Sequence, residues 1–186
     1  FLTFGIPFVV YTYTMSSTWA LDSIYAIDSA EMVIAAHTLG IDHPPGHPLY
    51  LPFAHLFSRL PFARVDQAVI FTSVFFGALA SYLLARCLYE HTPHFFAALV
   101  TGWLFAFCRI FWIHATLAEV YTIQLTFLGL FLTLTARWLR ENNAPSFFLL
   151  VFSLGLAATT NILLLVLLIP AFVYVTIRSG IFLGHW

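Results

Sequence analysis

The chain has 186 residues, of which 61% are hydrophobic and only 8% are charged. Because a soluble domain carries about a quarter charged residues, this composition excludes a water-soluble globular protein. The formal net charge is −1 and every positive charge is an arginine; there is no basic patch, and we expect no nucleic-acid partner. The composition therefore predicts an all-α protein, a polytopic bundle of transmembrane helices in a lipid bilayer.

Uncharged stretches predict the membrane spans in chain order. The first is residues 1–15, and we expect its beginning to lie upstream of Phe1, in a longer protein of which this chain is a part. Nineteen uncharged residues, 67–85, form the second span; as a helix they are roughly 28 Å long, close to the hydrocarbon thickness. The third and fourth spans are predicted at 95–113 and 120–136.

The last apolar stretch is too long for one span. Residues 142–177 carry no charge, and as a single helix they would extend about 54 Å. The turn-prone Thr159-Thr160-Asn161 predicts a break, which gives two shorter helices at 146–158 and 162–177. Because the first of these is too short to cross alone, we expect the hairpin tip to lie below the membrane surface, covered by protein or a water-filled cavity.

The arginines orient the spans. With a cytoplasmic N-terminus, four arginines fall on the cytoplasmic side: Arg86, Arg137, Arg140 and Arg178. Three fall outside: Arg59, Arg64 and Arg109. Two of these three belong to one long loop, residues 16–66, and the positive-inside rule gives weight to short loops. We therefore predict that loop 16–66 faces the outside.

This outer loop is predicted to be structured. Residues 29–39 suit a short amphipathic helix, with Asp28 as its N-cap and Glu31 as the capping-box partner. The three prolines of the following His-Pro-Pro-Gly-His-Pro segment exclude a helix. After them, residues 49–61 are typical of a second helix, one that lies in the membrane interface.

Half of the eight acidic residues lie between positions 22 and 42 of this loop, at Asp22, Asp28, Glu31 and Asp42. Asp28 and Glu31 are three positions apart, so their carboxylates share one face at a helix start. They form either a helix cap with its partner or a carboxylate pair that acts as a base or holds a divalent ion. The two interpretations are compatible, because a cap can orient a catalytic acid.

The segment His43-Pro44-Pro45-Gly46-His47 is a second candidate, because a stiff turn holds its two imidazoles in fixed directions. It is either a rigid connector with surface histidines or a substrate-binding segment. With His37 and His55 the loop has four histidines, but their spacing matches no standard zinc pattern and no cysteine assists. We therefore expect no zinc site and leave the metal unknown.

Further candidates lie at the mouths of the spans. Glu119 stands at the outer end of the fourth span, in Ala118-Glu119-Val120-Tyr121, with Arg109 nearby. It marks either the membrane boundary or a functional acid on the same side as Asp28. Asn161, at the predicted hairpin tip, would face that side too, either to satisfy broken backbone or to bind substrate.

Four segments, taken in order, resemble a known family: Asp-Ser-Ala-Glu (28–31), HTLGIDHPPGHPLY (37–50), AEVYT (118–122) and the Gly-Leu-Ala…Thr-Asn break (155–161). The family comprises bacterial membrane proteins related to the endoplasmic-reticulum transmembrane protein O-mannosyltransferase, within the GT-C glycosyltransferase superfamily. The resemblance covers nearly the whole chain. Ala30 stands where Gly is frequent and His47 where Tyr or Thr is frequent, changes that leave the acids intact.

The resemblance implies a GT-C-like N-terminal module, with its active site between the first outer loop and the mouths of the spans, on the outer face of a bacterial cytoplasmic membrane. It implies catalytic roles for Asp28, Glu31 and Glu119, with Asp28 as the base or a metal-associated acid. The implied reaction moves a sugar from a polyprenyl-phosphate donor to a hydroxyl of a protein or glycan acceptor. Residues 43–47, Arg109, Tyr121 and Asn161 would bind substrate, with a divalent cation as an optional cofactor.

Two other functions stay open. A transporter or channel fragment would carry charged residues in mid-span, whereas the acids named above and Arg109 lie at outer ends or in the loop. A non-catalytic scaffold would carry the same module in degenerate form.

Overall fold

The computed structural model describes residues 1–15, 28–44, 46–160 and 162–178, and the regular structure within these ranges is α-helical. In chain order the helices are α1 (Leu2–Thr14), α2 (Ser29–Thr38), α3 (Tyr50–Ser58), α4 (Val65–His91), α5 (Phe95–Ala106), α6 (Arg109–Ala115), α7 (Tyr121–Glu141), α8 (Ala144–Thr160) and α9 (Ile162–Arg178). The predicted all-α class is confirmed.

Helices α4 and α7 form a parallel pair at the centre of the bundle. The Thr126 hydroxyl of α7 donates to the Phe76 carbonyl of α4 at 2.7 Å, and two turns later Thr133 donates to the Leu83 carbonyl at 3.3 Å. Because both contacts advance equally along the two helices, the helices run in the same direction. Gly129 permits the close approach, since a Cβ there would lie 3.0 Å from that of Leu83. Both helices therefore begin at the same end of the bundle.

The apolar helices mark the chain as a membrane protein. Among the described residues, α4 and α7 are long and apolar enough to cross a membrane, and α5 with α6 would be a third span if the bent pair crosses as one. Shorter apolar helices cover Leu2–Thr14, Ala144–Thr160 and Leu168–Ile177. The sidedness predicted from the arginines stays a prediction.

The third predicted span, 95–113, is not one straight helix. Helices α5 and α6 meet at 68°, because Cys108 adopts an extended backbone (φ −60°, ψ 128°) after α5 has ended. The main-chain N–H of Trp112 then donates to the Cys108 carbonyl at 2.9 Å and starts the new helix. The Trp112 indole donates to Thr14 Oγ1 at 2.9 Å, which ties α6 to the end of α1.

Helix α1 packs against α5 through small residues and one long hydrogen-bonding side chain. A Cβ at Gly102 would lie 2.8 Å from the Thr3 side chain, so glycine is needed for this contact. Farther along α1, the fully buried Tyr11 hydroxyl donates to the Ala106 carbonyl at 2.6 Å. The hydrogen bond satisfies a carbonyl that the end of α5 leaves without a helical partner.

Helices α8 and α9 occupy the long uncharged stretch that was predicted to divide in two. Asn161, the residue between them, lies outside the described residues. Helix α8 packs on α7 through Phe147, whose ring centroid is 5.2 Å from that of Trp138. The depth of the connection in the membrane stays a prediction.

The outer-loop helices α2 and α3 correct one prediction from the sequence. Asp28 holds the N-cap position of α2, but its side chain makes no capping hydrogen bond. Its backbone is helical (φ −89°, ψ −13°), whereas an N-cap side chain reaches the helix N–H groups from an extended backbone. The capping-box prediction is therefore wrong, and the Asp28 carboxylate is not engaged by its own helix. Helix α3 buries Tyr50 and Ala54 in the core, and its predicted location in the membrane interface is not tested.

Candidate active site

Glu119 lies in the short segment between α6 and α7, and α4 fixes its main chain. The Ser73 hydroxyl of α4 donates to the Glu119 carbonyl at 3.1 Å and accepts the Glu119 N–H at 3.2 Å. Ser73 is fully buried and Glu119 is only 5% exposed. The Ser73 hydroxyl thus satisfies both main-chain polar groups of Glu119 and fixes the position from which the Glu119 side chain extends.

The Glu119 carboxyl is held at the beginning of α2. The Ser29 hydroxyl donates to Glu119 Oε1 at 3.5 Å, at the long limit of hydrogen bonding. Burial, and after it the negative charge of Asp28, raises the pKa of Glu119 to about 7, while the Ser29 hydrogen bond and the nearby His43 oppose the rise. A carboxyl with this pKa exchanges a proton near neutral pH, which is what acid–base catalysis requires.

His43 joins the same group of charges from the outer side. Its Nδ1 lies 3.1 Å from Glu31 Oε2, and the two side chains are 36% and 46% exposed. The hydrogen bond to Glu31 raises the pKa of His43 above its usual range. Burial opposes this rise, and the negative charges of Glu31, Asp28 and Asp42 add to it. The charged imidazolium is therefore favoured in the presence of the three acids.

The turn that carries His43 is closed by hydrogen bonds. Gly46 adopts φ +80°, a left-handed conformation that favours glycine, and its N–H donates to the His43 carbonyl at 3.0 Å. Asp42 Oδ1 accepts the His47 N–H at 3.3 Å, and Asp42 Oδ2 pairs with His47 Nδ1. The predicted turn is thus present, and its rigidity stays a prediction. Pro44 is exposed, and Pro45 lies outside the described residues.

The structure therefore brings four sequence-predicted residues to one end of the bundle, where α4 and α7 begin: Asp28, Glu31, His43 and Glu119. It does not bring Arg109 or Tyr121 into contact with them. Arg109 is exposed at the start of α6 and makes no ion pair within the described part of the chain, and the Tyr121 ring packs on His114 with centroids 4.6 Å apart. Asp22 and Asn161 lie outside the described residues. The roles of all these residues stay predictions.

Three positions in this neighbourhood escaped the sequence reasoning. Ser29 stands inside the Asp-Ser-Ala-Glu motif, but nothing in the motif shows that its hydroxyl reaches Glu119. Ser73 lies in mid-helix, and no local pattern shows that it reaches Glu119. Tyr50 is fully buried beside them; burial and then the charge of Glu119 raise its pKa, but the pattern of α3 shows only an apolar face.

The described residues do not by themselves form a metal site. No three His, Cys, Asp or Glu side chains among them converge as ligands of one ion. Whether the reaction at this site depends on a metal stays a prediction.

With this geometry established, comparison with known proteins places the chain in a family. The model of the protein O-mannosyl-transferase TMEM260 N-terminal domain matches residues 28–181, which include Asp28, the 43–47 turn and Glu119. The chain belongs to this family. The relationship inferred from the motifs is thereby confirmed, while the bacterial origin implied by the resemblance is not tested.

Two curated relatives carry the same name. The mouse protein O-mannosyl-transferase TMEM260 is 36% identical over 112 residues, which are 60% of this chain and 16% of that protein. The Dictyostelium discoideum protein O-mannosyl-transferase tmem260 is 27% identical over 177 residues, 85% of this chain and 21% of that protein. The chain thus spans about a fifth or less of the relatives it matches. No solved structure matches it.

Proposed function

We propose that the chain forms the N-terminal catalytic part of a GT-C-type O-mannosyltransferase in a membrane. In this proposal the enzyme takes mannose from a polyprenyl-phosphate carrier and transfers it to a hydroxyl of a protein or glycan on the outer face. The family supports the transferase class, because the matched relatives are named protein O-mannosyl-transferases. The acid group at one end of the apolar bundle supports a reaction at the lipid boundary, where a lipid-linked donor resides.

The reaction sets two demands on the site. The acceptor oxygen bonds to the anomeric carbon of the sugar, and the bond from that carbon to the phosphate oxygen breaks. The electron pair of that bond leaves with the phosphate, while the proton of the acceptor hydroxyl passes to a base. The anomeric carbon becomes oxocarbenium-like, as in glycoside hydrolysis. The site must therefore supply a carboxylate for the hydroxyl and positive charge for the departing phosphate.

Asp28 is the base in this proposal, and Glu119 is its buried partner. The Asp28 carboxylate is exposed and free of its own helix, so an acceptor hydroxyl can reach it. Glu119 lies behind it and feels its charge. Two neighbouring carboxylates favour uptake of one proton between them, which is the step that activates the hydroxyl.

His43 supplies positive charge for the departing phosphate. Glu31 holds its ring through Nδ1 and raises its pKa, so the protonated ring can donate to a phosphate oxygen through Nε2. Exposure of both side chains leaves this position open to a ligand. Arg109, exposed at the start of α6, is the second candidate cation.

One observation carries the proposal: the chain buries Glu119 against the first turn of α2, beside Asp28, with a pKa of about 7. A structural acid in a membrane protein is normally paired with a cation or exposed to water. Glu119 instead receives a serine hydroxyl and faces another acid. This arrangement suits a carboxyl group that accepts and releases a proton during the reaction.

Activity of the full-length protein in membranes tests the proposal. With polyprenyl-phosphate mannose and a serine-rich peptide, wild-type protein should transfer mannose. Asp28→Asn should lower the turnover by at least about 10²-fold, the usual contribution of a general base, while donor binding and thermal stability are kept. Glu141→Gln is the matched control, because this acid is ion-paired with Arg137 at the opposite end of α7 and should leave transfer intact.

Other outcomes separate the alternatives. Normal turnover by Asp28→Asn would contradict the assignment of the base. A wild-type protein that transfers no sugar but conducts ions in liposomes would favour the transporter. A protein that does neither would favour the scaffold. Adding a chelator to the same assay tests the optional divalent cation.

A further inference from the structure

We infer that Asp42 is a positioning residue of the proposed donor site, which acts through the His47 ring to hold His43 in place for a phosphate group. The inference rests on the proposed function and deepens it. Asp42 touches neither acid of the proposed base pair directly, and the sequence marks it only as one of four acids in the loop. Its partners in the structure give it a role.

Asp42 and His47 form a buried pair in an otherwise exposed turn. Their side chains are 1% and 6% exposed, whereas the neighbouring His43 is 36% exposed. A buried ion pair is weak evidence for stability, because apolar residues of similar size often stabilise a fold equally well. We therefore interpret the buried Asp42 carboxylate as a group that orients the His47 ring.

The two oxygens of Asp42 have separate tasks. Oδ1 accepts the His47 main-chain N–H and so closes the turn, while Oδ2 pairs with Nδ1 of the His47 ring. Closing the turn requires only one acceptor, which a neutral amide would also provide. The second oxygen acts on the ring alone. It fixes the proton on Nδ1 and the plane of the imidazole.

The oriented ring of His47 lies against His43. The two imidazoles are edge-on, with centroids 5.7 Å apart and an interplanar angle of 72°. On its other side His43 is bonded to Glu31 at 3.1 Å. His43 is thus held between a carboxylate and a ring that is itself held by Asp42. Because His43 is partly exposed, these two contacts set the direction of its Nε2.

The buried pair also lies close to the acids of the site. Tyr50, one turn after His47, is fully buried and feels the charges of both Glu119 and Asp42. Asp42 therefore sits behind the same site as Glu119 and not at a remote surface. Loosening it would change the outer wall of the site while leaving the Ser73–Glu119 contacts in place.

Asp42→Asn in the full-length enzyme tests the inference, because asparagine keeps an acceptor for the His47 N–H but presents an amide to Nδ1. We expect the KM for polyprenyl-phosphate mannose to rise about tenfold or more, as for loss of a hydrogen bond to a charged group, with kcat less affected. In a His43→Ala background Asp42→Asn should add no further loss, since both changes act on one contact.

Asp66→Asn is the matched control. Asp66 is similarly buried and accepts the Gln67 main-chain N–H through Oδ1. Arg64 donates to both of its oxygens, from Nε to Oδ1 and from Nη2 to Oδ2. The same change there should leave KM unaltered. If Asp42→Asn does not fold, His47→Asn keeps a donor for Asp42 but removes the ring, and it should raise KM in the same way.

The outcomes distinguish this inference from the proposed function. Wild-type activity with an unchanged KM in folded Asp42→Asn would overturn the inference alone. A loss that adds to that of His43→Ala would also overturn it, because Asp42 would then act by another route. Absence of mannose transfer by the wild-type protein would overturn the proposed function, and this inference with it.

Discussion

Two glutamates, one at each end of the α4–α7 pair, have opposite surroundings. Glu119, where α7 begins, is 5% exposed and receives a hydroxyl from Ser29 while facing the acid Asp28. Glu90, near the end of α4, has a side chain 7% exposed and pairs with two arginines, Arg86 and Arg140. The same residue type is thus neutralised by cations at one end and left beside another acid at the other.

In the proposed mechanism, this difference separates a structural acid, Glu90, from a catalytic one, Glu119. The carboxylate of Glu90 pairs with Arg86 of its own helix and with Arg140 of α7, and the second pair links the two parallel helices. Such ion pairs are common structural contacts between helices. The carboxylate of Glu119 has a raised pKa and forms no ion pair within the described part of the chain. This arrangement costs stability and is typical of sites where proton transfer is useful. Four predictions test this contrast between the two ends.

The first prediction concerns the sides of the membrane on which the two ends lie. In a Cys87→Ser, Cys108→Ser background, which removes both free thiols, an impermeant maleimide should label Leu60→Cys from outside. Ala144→Cys should be labelled only after permeabilisation. Both positions are exposed, so the reagent can reach them. Labelling of both from one side would contradict the orientation derived from the arginines.

The second prediction compares the two glutamates in catalysis. Glu119→Gln should lower mannose transfer by about 10²-fold or more, because the amide cannot take part in proton uptake. Glu90→Gln should leave transfer near the wild-type rate, since it acts only between helices. The measurement is turnover at saturating donor and acceptor. Equal losses in both variants would show that the contrast reflects folding alone.

Much of the helical order follows from the sequence, because charges and prolines interrupt apolar runs where helices end. The start of α2 at Ser29, directly after Asp28, is an example of this. The 68° bend between α5 and α6 does not follow, because Cys108 and its neighbours are as apolar as a continuous helix would be. Apolar character reports burial in lipid or protein, and it carries no information on backbone direction.

The site is likewise only partly readable in the sequence. Asp28, Glu31, His43 and Glu119 stand out because charge is rare in this chain. The Asp42–His47 pair depends on how a turn closes. The Ser73–Glu119 contacts depend on how α4 aligns with the segment before α7, and the two residues are 46 positions apart. Local sequence patterns cannot predict which residues of distant segments come into contact. The absence of a cap on Asp28 is a backbone detail that the capping motif does not reveal.

The third prediction concerns pH. Because the folded-state pKa of Glu119 is raised to about 7, the folded protein binds this proton more tightly than the unfolded chain. Its contribution to stability is greatest below the unfolded pKa of about 4.3, falls as pH rises to about 7, and is level above that pH. The change in the free energy of unfolding is up to about 4 kcal/mol, because one pKa unit corresponds to about 1.36 kcal/mol.

Thermal unfolding in detergent from pH 4.5 to 8 measures this contribution. Glu119→Gln should flatten the decline between these values, because its side chain does not ionise. Glu90→Gln should keep the wild-type slope. A Glu119→Gln protein with an unchanged slope would mean that Glu119 titrates in the ordinary range and that its surroundings are wetter than the structure indicates.

The fourth prediction, the smallest in effect, compares two fully buried tyrosines. Ser73 lies near enough to Tyr50 to lower the pKa of the tyrosine. The Ser73 hydroxyl, however, is already bonded to the main chain of Glu119. The Tyr50 hydroxyl therefore has no hydrogen bond of ordinary geometry. Tyr50→Phe should therefore stabilise the protein by about 1 kcal/mol. Tyr11→Phe should destabilise it by about 1 kcal/mol, because it removes the bond to the Ala106 carbonyl. Melting temperatures of the two variants decide the matter; a destabilised Tyr50→Phe with weakened transfer would mean instead that this hydroxyl supports Glu119.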